Sequence, residues 1–252
     1  MKSRYLRTSD IAKAVGVHPN TVRLYEAWGF LPPIPRTPSS YRQFTEAHLE
    51  QMRLARIAFG NPWPGKRIRK SALALVQQAA AGDVAGARKA AVRHLALVRL
   101  ERAQADAAAD FLERWAQGTV ENVLVEPLQI SVAAQLLDVT TDMLRNWERN
   151  GLIKVPRDPD SGYRRYGAIE IGRLRVIRLL RSAGYSTMAI LRMMLYFDQG
   201  QREGLRQALD TPRPDEDVIF ATDRWLSTLA EAEEQARNII AQLDKMLREN
   251  SE

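Results

Sequence analysis

The chain has no cysteine. Disulfides, thiolate metal sites and cysteine nucleophiles are therefore excluded. Histidine is scarce too: the three, His18, His48 and His94, lie on separate segments. No metal-ligand spacing, glycine-rich phosphate loop or nucleophile motif accompanies them. The expectation is a chain that is not an enzyme and holds no cofactor and no metal. No apolar run approaches the length of a membrane span, and the opening MKSRYLRTSD lacks the apolar stretch of a signal peptide. A soluble cytoplasmic protein with no membrane partner is expected.

What the chain does have is said twice. Gly16 to Phe44 reads GVHPNTVRLYEAWGFLPPIPRTPSSYRQF, and Asp138 to Tyr166 reads DVTTDMLRNWERNGLIKVPRDPDSGYRRY. A shift of 122 positions places Val17 on Val139, Arg23 on Arg145, Glu26 on Glu148 and Gly29 on Gly151. Without a gap it also places Tyr41-Arg42 on Tyr163-Arg164, Arg53 on Arg175 and Ile68 on Ile190. A register held that long marks a duplicated module, and 252 residues accommodate two domains.

Charge follows the duplication. Residues 1–70 hold 13 Lys/Arg against 4 Asp/Glu, and residues 128–195 hold 11 against 6. The stretches after them are neutral or acidic: 71–127 has 6 against 7, and 196–252 has 7 against 13. A basic module followed by a neutral or acidic scaffold is the pattern of a nucleic-acid reader.

In the first copy, Ser9 is the expected N-cap of a short helix carrying Ile11, Ala12 and Val15 and stopped by Gly16. His18 and Pro19 then open a second helix that runs to Gly29. Two short helices joined by a glycine turn make a helix-turn-helix, whose second helix lies in the major groove of double-stranded DNA. The residues at its start, His18, Asn20, Thr21 and Arg23, can all hydrogen-bond to DNA, with Arg suited to guanine and Asn to adenine. Pro32, Pro33, Pro35 and Pro38 forbid helix in the following excursion, which ends in Tyr41-Arg42 and reads as a basic wing along the phosphates. Trp63 and Tyr185, at matching positions, read as core plugs. Lys66 and Arg67 open a later helix and add phosphate contacts.

In the second copy, Ser131 is the expected cap of the first helix and Thr140 that of the recognition helix. Its readers are Thr140, Thr141, Asp142 and Arg145, followed by Trp147. Asp142 in place of Asn20 implies a different base preference, because a carboxylate accepts only from cytosine N4. The wing ends in Tyr163-Arg164-Arg165-Tyr166.

The sequence Thr-x-Arg-x-Tyr-Glu-x-x-Gly-Phe-Leu, followed by Arg-x-x-x-x-Tyr-Arg-x-Phe, resembles the DNA-binding domain of the MerR transcription regulators. The resemblance covers residues 5–70 and 128–195. It implies that an aromatic in the middle of the recognition helix touches the DNA backbone and that the wing Tyr-Arg pair grips phosphate. By position these roles, with reading of the major groove by the second helix, fall on Arg23, Tyr25, Tyr41 and Arg42. Ser40 stands where that family usually has glycine, so a differently shaped wing tip is expected there. The second wing, with Gly162, is closer to the family pattern.

Two long helices are expected. One runs from about residue 85 to 115 with an apolar stripe of Val92, Leu95, Val98, Leu112 and Trp115; the other runs from about 218 to 248. The expected fold is mainly α, with two winged helix-turn-helix domains, each followed by a long coiled-coil-like helix. Its divisions are 1–82, a pairing helix 83–115, a linker 116–127, a second domain 128–215 and a pairing helix 216–252. In the resembled family two such helices pair antiparallel and join two subunits. Here a helix of about 46 Å and a linker reaching at most about 40 Å allow one polypeptide to play both subunits as an intramolecular pseudo-dimer. The alternative is a homodimer with four readers.

The function expected is a sequence-specific, nucleoid-associated transcription regulator that distorts promoter DNA, with RNA polymerase as a further partner. The alternative is an architectural or recombination-accessory, excisionase-like DNA-bending protein. A pocket for an effector, lined by Met188, Met193, Met194, Tyr196, Phe197 and Trp225, is weighed against core packing, and core packing is favoured.

Overall fold

The computed structural model describes residues 5–60, 65–119, 126–212 and 221–249. Trp63, Val218 and Ile219, and half of the expected linker (120–125), lie outside these. The described residues form eleven α-helices: α1 Thr8–Ala14, α2 Pro19–Ala27, α3 Glu46–Phe59, α4 Gly65–Ala80, α5 Val84–Ala116, α6 Ile130–Leu136, α7 Thr141–Arg149, α8 Ala168–Ser182, α9 Thr187–Asp198, α10 Leu205–Asp210 and α11 Trp225–Glu249. A 3-10 turn, Ala221–Arg224, leads into α11. The mainly helical class and the long helix after each winged module are as expected.

The chain divides into two compact units. Met1–Leu100 and Leu229–Glu252 form one, and Glu101–Thr228 the other.

In the first unit, α1 and α2 are joined by a turn whose Gly16 has φ +67°, a conformation glycine adopts without strain. Asp138 fills the same turn in the second unit at φ +50°; aspartate is among the few side chains that tolerate it. Ser9 is not the cap of α1. The cap is Arg7 and the helix begins two residues earlier, because residue 6 is fixed by pairing with the end of the wing: Leu6 N–H donates to Phe44 O at 2.8 Å and Phe44 N–H donates back at 3.0 Å. The Asp10 carboxylate then accepts from the Arg7 backbone at 2.8 Å. Leu128 and Tyr166 make the same pair in the second unit, and Ser131 likewise lies inside α6 rather than at its cap. Thr140 does cap α7, accepting from Met143 N–H at 3.1 Å.

The wings are narrow hairpins bridged Arg36 to Arg42 and Arg157 to Arg164. These pairs correct the gapless register. Arg36 and Arg157 are 121 apart while Arg42 and Arg164 are 122 apart, so the second wing tip is one residue longer. The second copy compensates with one residue fewer between Gly151 and Pro156 than the first has between Gly29 and Pro35. Ser40 nevertheless takes the left-handed conformation of a glycine, φ +64°, as Gly162 does at +73°.

Ile11, Val22, Phe30, Phe44, Met52 and Leu75 make the core of the first module. Gln51, buried in α3, ties it together by donating to Phe30 O at 2.9 Å and Val76 O at 3.0 Å. Its counterpart Arg173 does the same work with different chemistry. Its Nε donates to Leu152 O at 2.7 Å, and its two terminal nitrogens clamp the Asp198 carboxylate at 2.5 and 2.8 Å.

The end of α11 completes the first unit. Gln235 donates to Ile57 O at 2.6 Å, and Gln242 and Lys245 reach the Glu50 carboxylate at 2.7 and 2.9 Å. Burial opposes ionisation of Glu50, but Lys245, Gln242 and Arg53 outweigh it and hold the carboxyl below its ordinary range. Between α5 and α11, Arg88 pairs with Asp244 at 3.0 Å and Arg99 with Glu233 at 2.9 Å. The partner number falls by eleven as the first rises by eleven, so these helix segments run antiparallel.

In the second unit the end of α5 supports the second module. Tyr185 is fully buried and its hydroxyl donates to Ala105 O at 3.0 Å, as a core plug should. Arg206 pairs with Asp106 at 2.7 Å and with Asp110 at 2.5 Å. Trp115 stacks on Phe197 at 4.6 Å. Met193, Met194 and Trp225 are core residues, while Met188 is exposed and Tyr196 and Phe197 are half-buried.

The buried face of α5 runs through Ala87, Ala91, His94, Val98, Ala105, Ala109 and Leu112, a spacing near four and three. Val92 is exposed, which corrects the expected stripe. Helix α10 lies where the sequence reading places no helix. The buried guanidinium of Arg192 holds it, donating to Ala208 O at 2.7 Å and Leu209 O at 3.0 Å.

Candidate nucleic-acid interface

Each recognition helix is aimed by its own start. His18 caps α2 by accepting from Asn20 N–H at 3.1 Å, so one ring nitrogen is committed to the helix. Pro19 at the first helical position supplies the backbone angle and forfeits only an N–H that would have no helical partner. His18, Asn20 and Arg23 are exposed on this helix and Thr21 is half-buried. In the second module Thr140, Asp142 and Arg145 are exposed and Thr141 is half-buried. Both arginines are held from three residues earlier. Arg23 Nη1 donates to Asn20 Oδ1 at 3.2 Å, and Arg145 Nη1 to Asp142 Oδ1 at 2.9 Å.

The wing tyrosines stand out in solvent: Tyr41 is 73% exposed and Tyr163 71%. The arginines beside them turn inward. Arg42 Nε contacts Glu26 Oε2 at 2.6 Å, and Arg164 Nε contacts Glu148 Oε2 at 2.6 Å. Each ties its wing to its recognition helix. Arg165 is half-buried with Asp158 3.9 Å away. Hydrogen bonds from Ser161 hold the Asp158 carboxyl below its ordinary range.

Three residues expected on DNA are instead core. Tyr25 is 5% exposed and packs among Trp28, Phe30 and Phe59. Burial raises its phenol, with Arg56 partly opposing. Trp147 is buried in the same place in α7. Tyr166 is 1% exposed, and burial raises its phenol as well. Phe44, which has no polar atom, occupies the matching site in the first module, so the sequence already held the signal that a hydroxyl is not needed there.

Lys66 and Arg67 are exposed in the first turn of α4. Cations at a helix N-terminus oppose the helix dipole, so helix stability does not account for them. Arg36 and Arg157, at the base of each wing, join the expected site residues. Arg36 Nη2 is 3.3 Å from Glu26 Oε1, and Arg157 Nη1 donates to Gly162 O at 3.2 Å. Their matching places before a proline-containing tip were the available signal. In the first module a groove of about 630 Å³ separates Tyr41 and Arg42 from Tyr5, Arg7 and Ser9. Among the described residues, no group of three or more His, Asp or Glu is placed to hold a metal ion.

Comparison with known proteins identifies the family of both modules. The family described as MerR HTH family regulatory protein matches residues 6–70 and 128–196. A Haemophilus influenzae protein described as a probable heavy metal-dependent transcriptional regulator is 30% identical over 116 residues, 46% of this chain and 82% of that protein. The HTH-type transcriptional regulator AdhR of Bacillus subtilis is 33% identical over 75 residues, 30% of this chain and 54% of that protein. The mercuric resistance operon regulatory protein of Serratia marcescens is 30% identical over 70 residues, 28% of this chain and 49% of that protein. The chain thus spans about half the length of the last two. No solved structure gives a significant match.

Proposed function

We propose that this chain, which belongs to the MerR family of DNA-binding transcription regulators, engages one promoter with both of its modules as an intramolecular pseudo-dimer. The observation that carries this reading is the composition of the two units. The first module is completed by the end of α11, the helix that follows the second module. The second module is completed by the end of α5, the helix that follows the first. The antiparallel ion pairs Arg88–Asp244 and Arg99–Glu233 support the same reading. In a homodimer such contacts would come from a second chain.

The residues assigned to the DNA interface, as readers or as supports of readers, are His18, Asn20, Thr21, Arg23, Tyr41, Arg42, Lys66 and Arg67 in the first module. In the second they are Thr140, Thr141, Asp142, Arg145, Tyr163, Arg164 and Arg165. The groove beside Tyr41 takes the sugar-phosphate strand of the first half-site. Because the readers differ, the operator is two unlike half-sites rather than a palindrome. Distortion of the DNA between them is the means by which polymerase gains or loses access. The protein acts in the cytoplasm, on the nucleoid. Two relatives carry metals in their names, but this chain has no cysteine, so a thiolate-bound metal is not its signal.

Selection of bound duplexes from a random pool tests the proposal. Enrichment of one asymmetric site supports it. A palindrome would favour the homodimer. Binding that enriches nothing and vanishes steeply with salt would favour the architectural alternative.

A further inference from the structure

Asn20 and Asp142 occupy the second position of their recognition helices, and each has its Oδ1 engaged by an arginine three residues on. As isolated residue types they suggest readers of adenine and of cytosine. The geometry gives them another task. We infer, building on the DNA-reading function proposed above, that Asn20 and Asp142 are positioning residues that aim Arg23 and Arg145 at guanine.

Three observations carry the inference. The Asp142 side chain is 86% exposed and that of Arg145 is 49% exposed, so no surrounding protein forces the pair together. An exposed pair of this kind adds little to stability, and its consequence is orientation. Secondly, an amide does in one module what a carboxylate does in the other. They share an acceptor oxygen, not a charge, so attraction of an anion to the helix N-terminus does not explain the arrangement in both. Thirdly, each contact uses Nη1 and leaves the other edge of the guanidinium open for the paired acceptors O6 and N7 of guanine. Both half-sites then contain a guanine. Their difference comes from the neighbouring positions, Thr21 against Met143, whose exposed side chain suits a thymine methyl.

The test measures affinity for every single-base variant of the selected operator, using the full chain and its Asp142→Ala, Asp142→Asn and Arg145→Ala variants. Arg145→Ala is expected to lower discrimination for guanine at one position by roughly tenfold. Asp142→Ala lowers discrimination at that same position several-fold, and Asp142→Asn restores most of it. Loss of a cytosine preference at another position in Asp142→Ala would show a direct reader and overturn the inference. Uniformly changed affinity with unchanged ratios would overturn it too, leaving only a charge effect. A wild type without any base preference would overturn the DNA-reading function itself, and the inference with it.

Discussion

Arg42 reaches from the first wing to the recognition helix, its Nε 2.6 Å from Glu26 Oε2, and Arg164 makes the same contact with Glu148. The four side chains are roughly a quarter exposed, which limits screening by solvent. A wing of a few residues with one bridge has little stability of its own. This link turns it into an extension of the helix it serves. Charge alone and geometry alone give opposite expectations here. Removing Glu26 deletes a negative charge near DNA, which should strengthen binding; it also releases Arg42 and Arg36 from their places.

Glu26→Ala is predicted to weaken binding to the selected operator several-fold, with faster amide exchange over residues 36–44. Affinity and exchange measured on the same variant check it. Tighter binding to the operator would mean that the link has no positioning role.

Gly184, between α8 and α9, has φ +98°, and a Cβ there would stand 2.7–2.8 Å from the Trp225 ring. The Trp225 indole N–H donates to Ala183 O at 2.7 Å, so the ring has no freedom to retreat. Gly184→Ala therefore combines backbone strain with overpacking and is predicted to cost about 3 kcal/mol. Gly82→Ala is the control: its φ is +94° but nothing lies within 4 Å of the added carbon. Its cost should stay near 1 kcal/mol. Chemical denaturation of both variants checks the contrast, and equal losses would assign the whole effect to the backbone.

His94 sits in the buried stripe of α5 at 2% exposure, and its Nδ1 has no hydrogen-bond partner among the described residues. Burial lowers its pKa from 6.5 to about 4. Between those values the unfolded chain binds a proton that the folded chain refuses. Stability is thus lost as pH falls from about 6.5 towards 4, by up to about 3 kcal/mol from this group. His94→Leu should lose less stability over that range, so its advantage over wild type grows with acidity. Parallel stability curves from pH 7 to pH 4.5 would contradict this.

The duplicated module, its recognition helices and the long helices were legible because each leaves a local mark: a cap with proline, a turn glycine, a helical apolar period. What was not legible is set by distant contacts. Helix α1 starts where Leu6 pairs with Phe44, not at the serine that looks like a cap. The buried face of α5 includes a histidine and excludes Val92, because small alanines, unremarkable in a hydropathy pattern, carry the contact. Helix α10 follows two glycines and depends on Arg192, a residue type ordinarily assigned to the surface. At the site, the exposed arginines and wing tyrosines could be picked from the sequence. The burial of Tyr25 and Trp147 could not, since an aromatic in an amphipathic helix carries no sign of which side it faces; that of Tyr166 was signalled only by Phe44 at the matching position.

The central claim is that one chain supplies both subunits, and the mass of the intact complex measures this most directly. Native mass spectrometry of the full chain on its selected duplex, across a range of protein concentrations, should give one chain per duplex, and free protein of 28.5 kDa. Two chains on every occupied duplex, with free protein at twice that mass, would contradict the account.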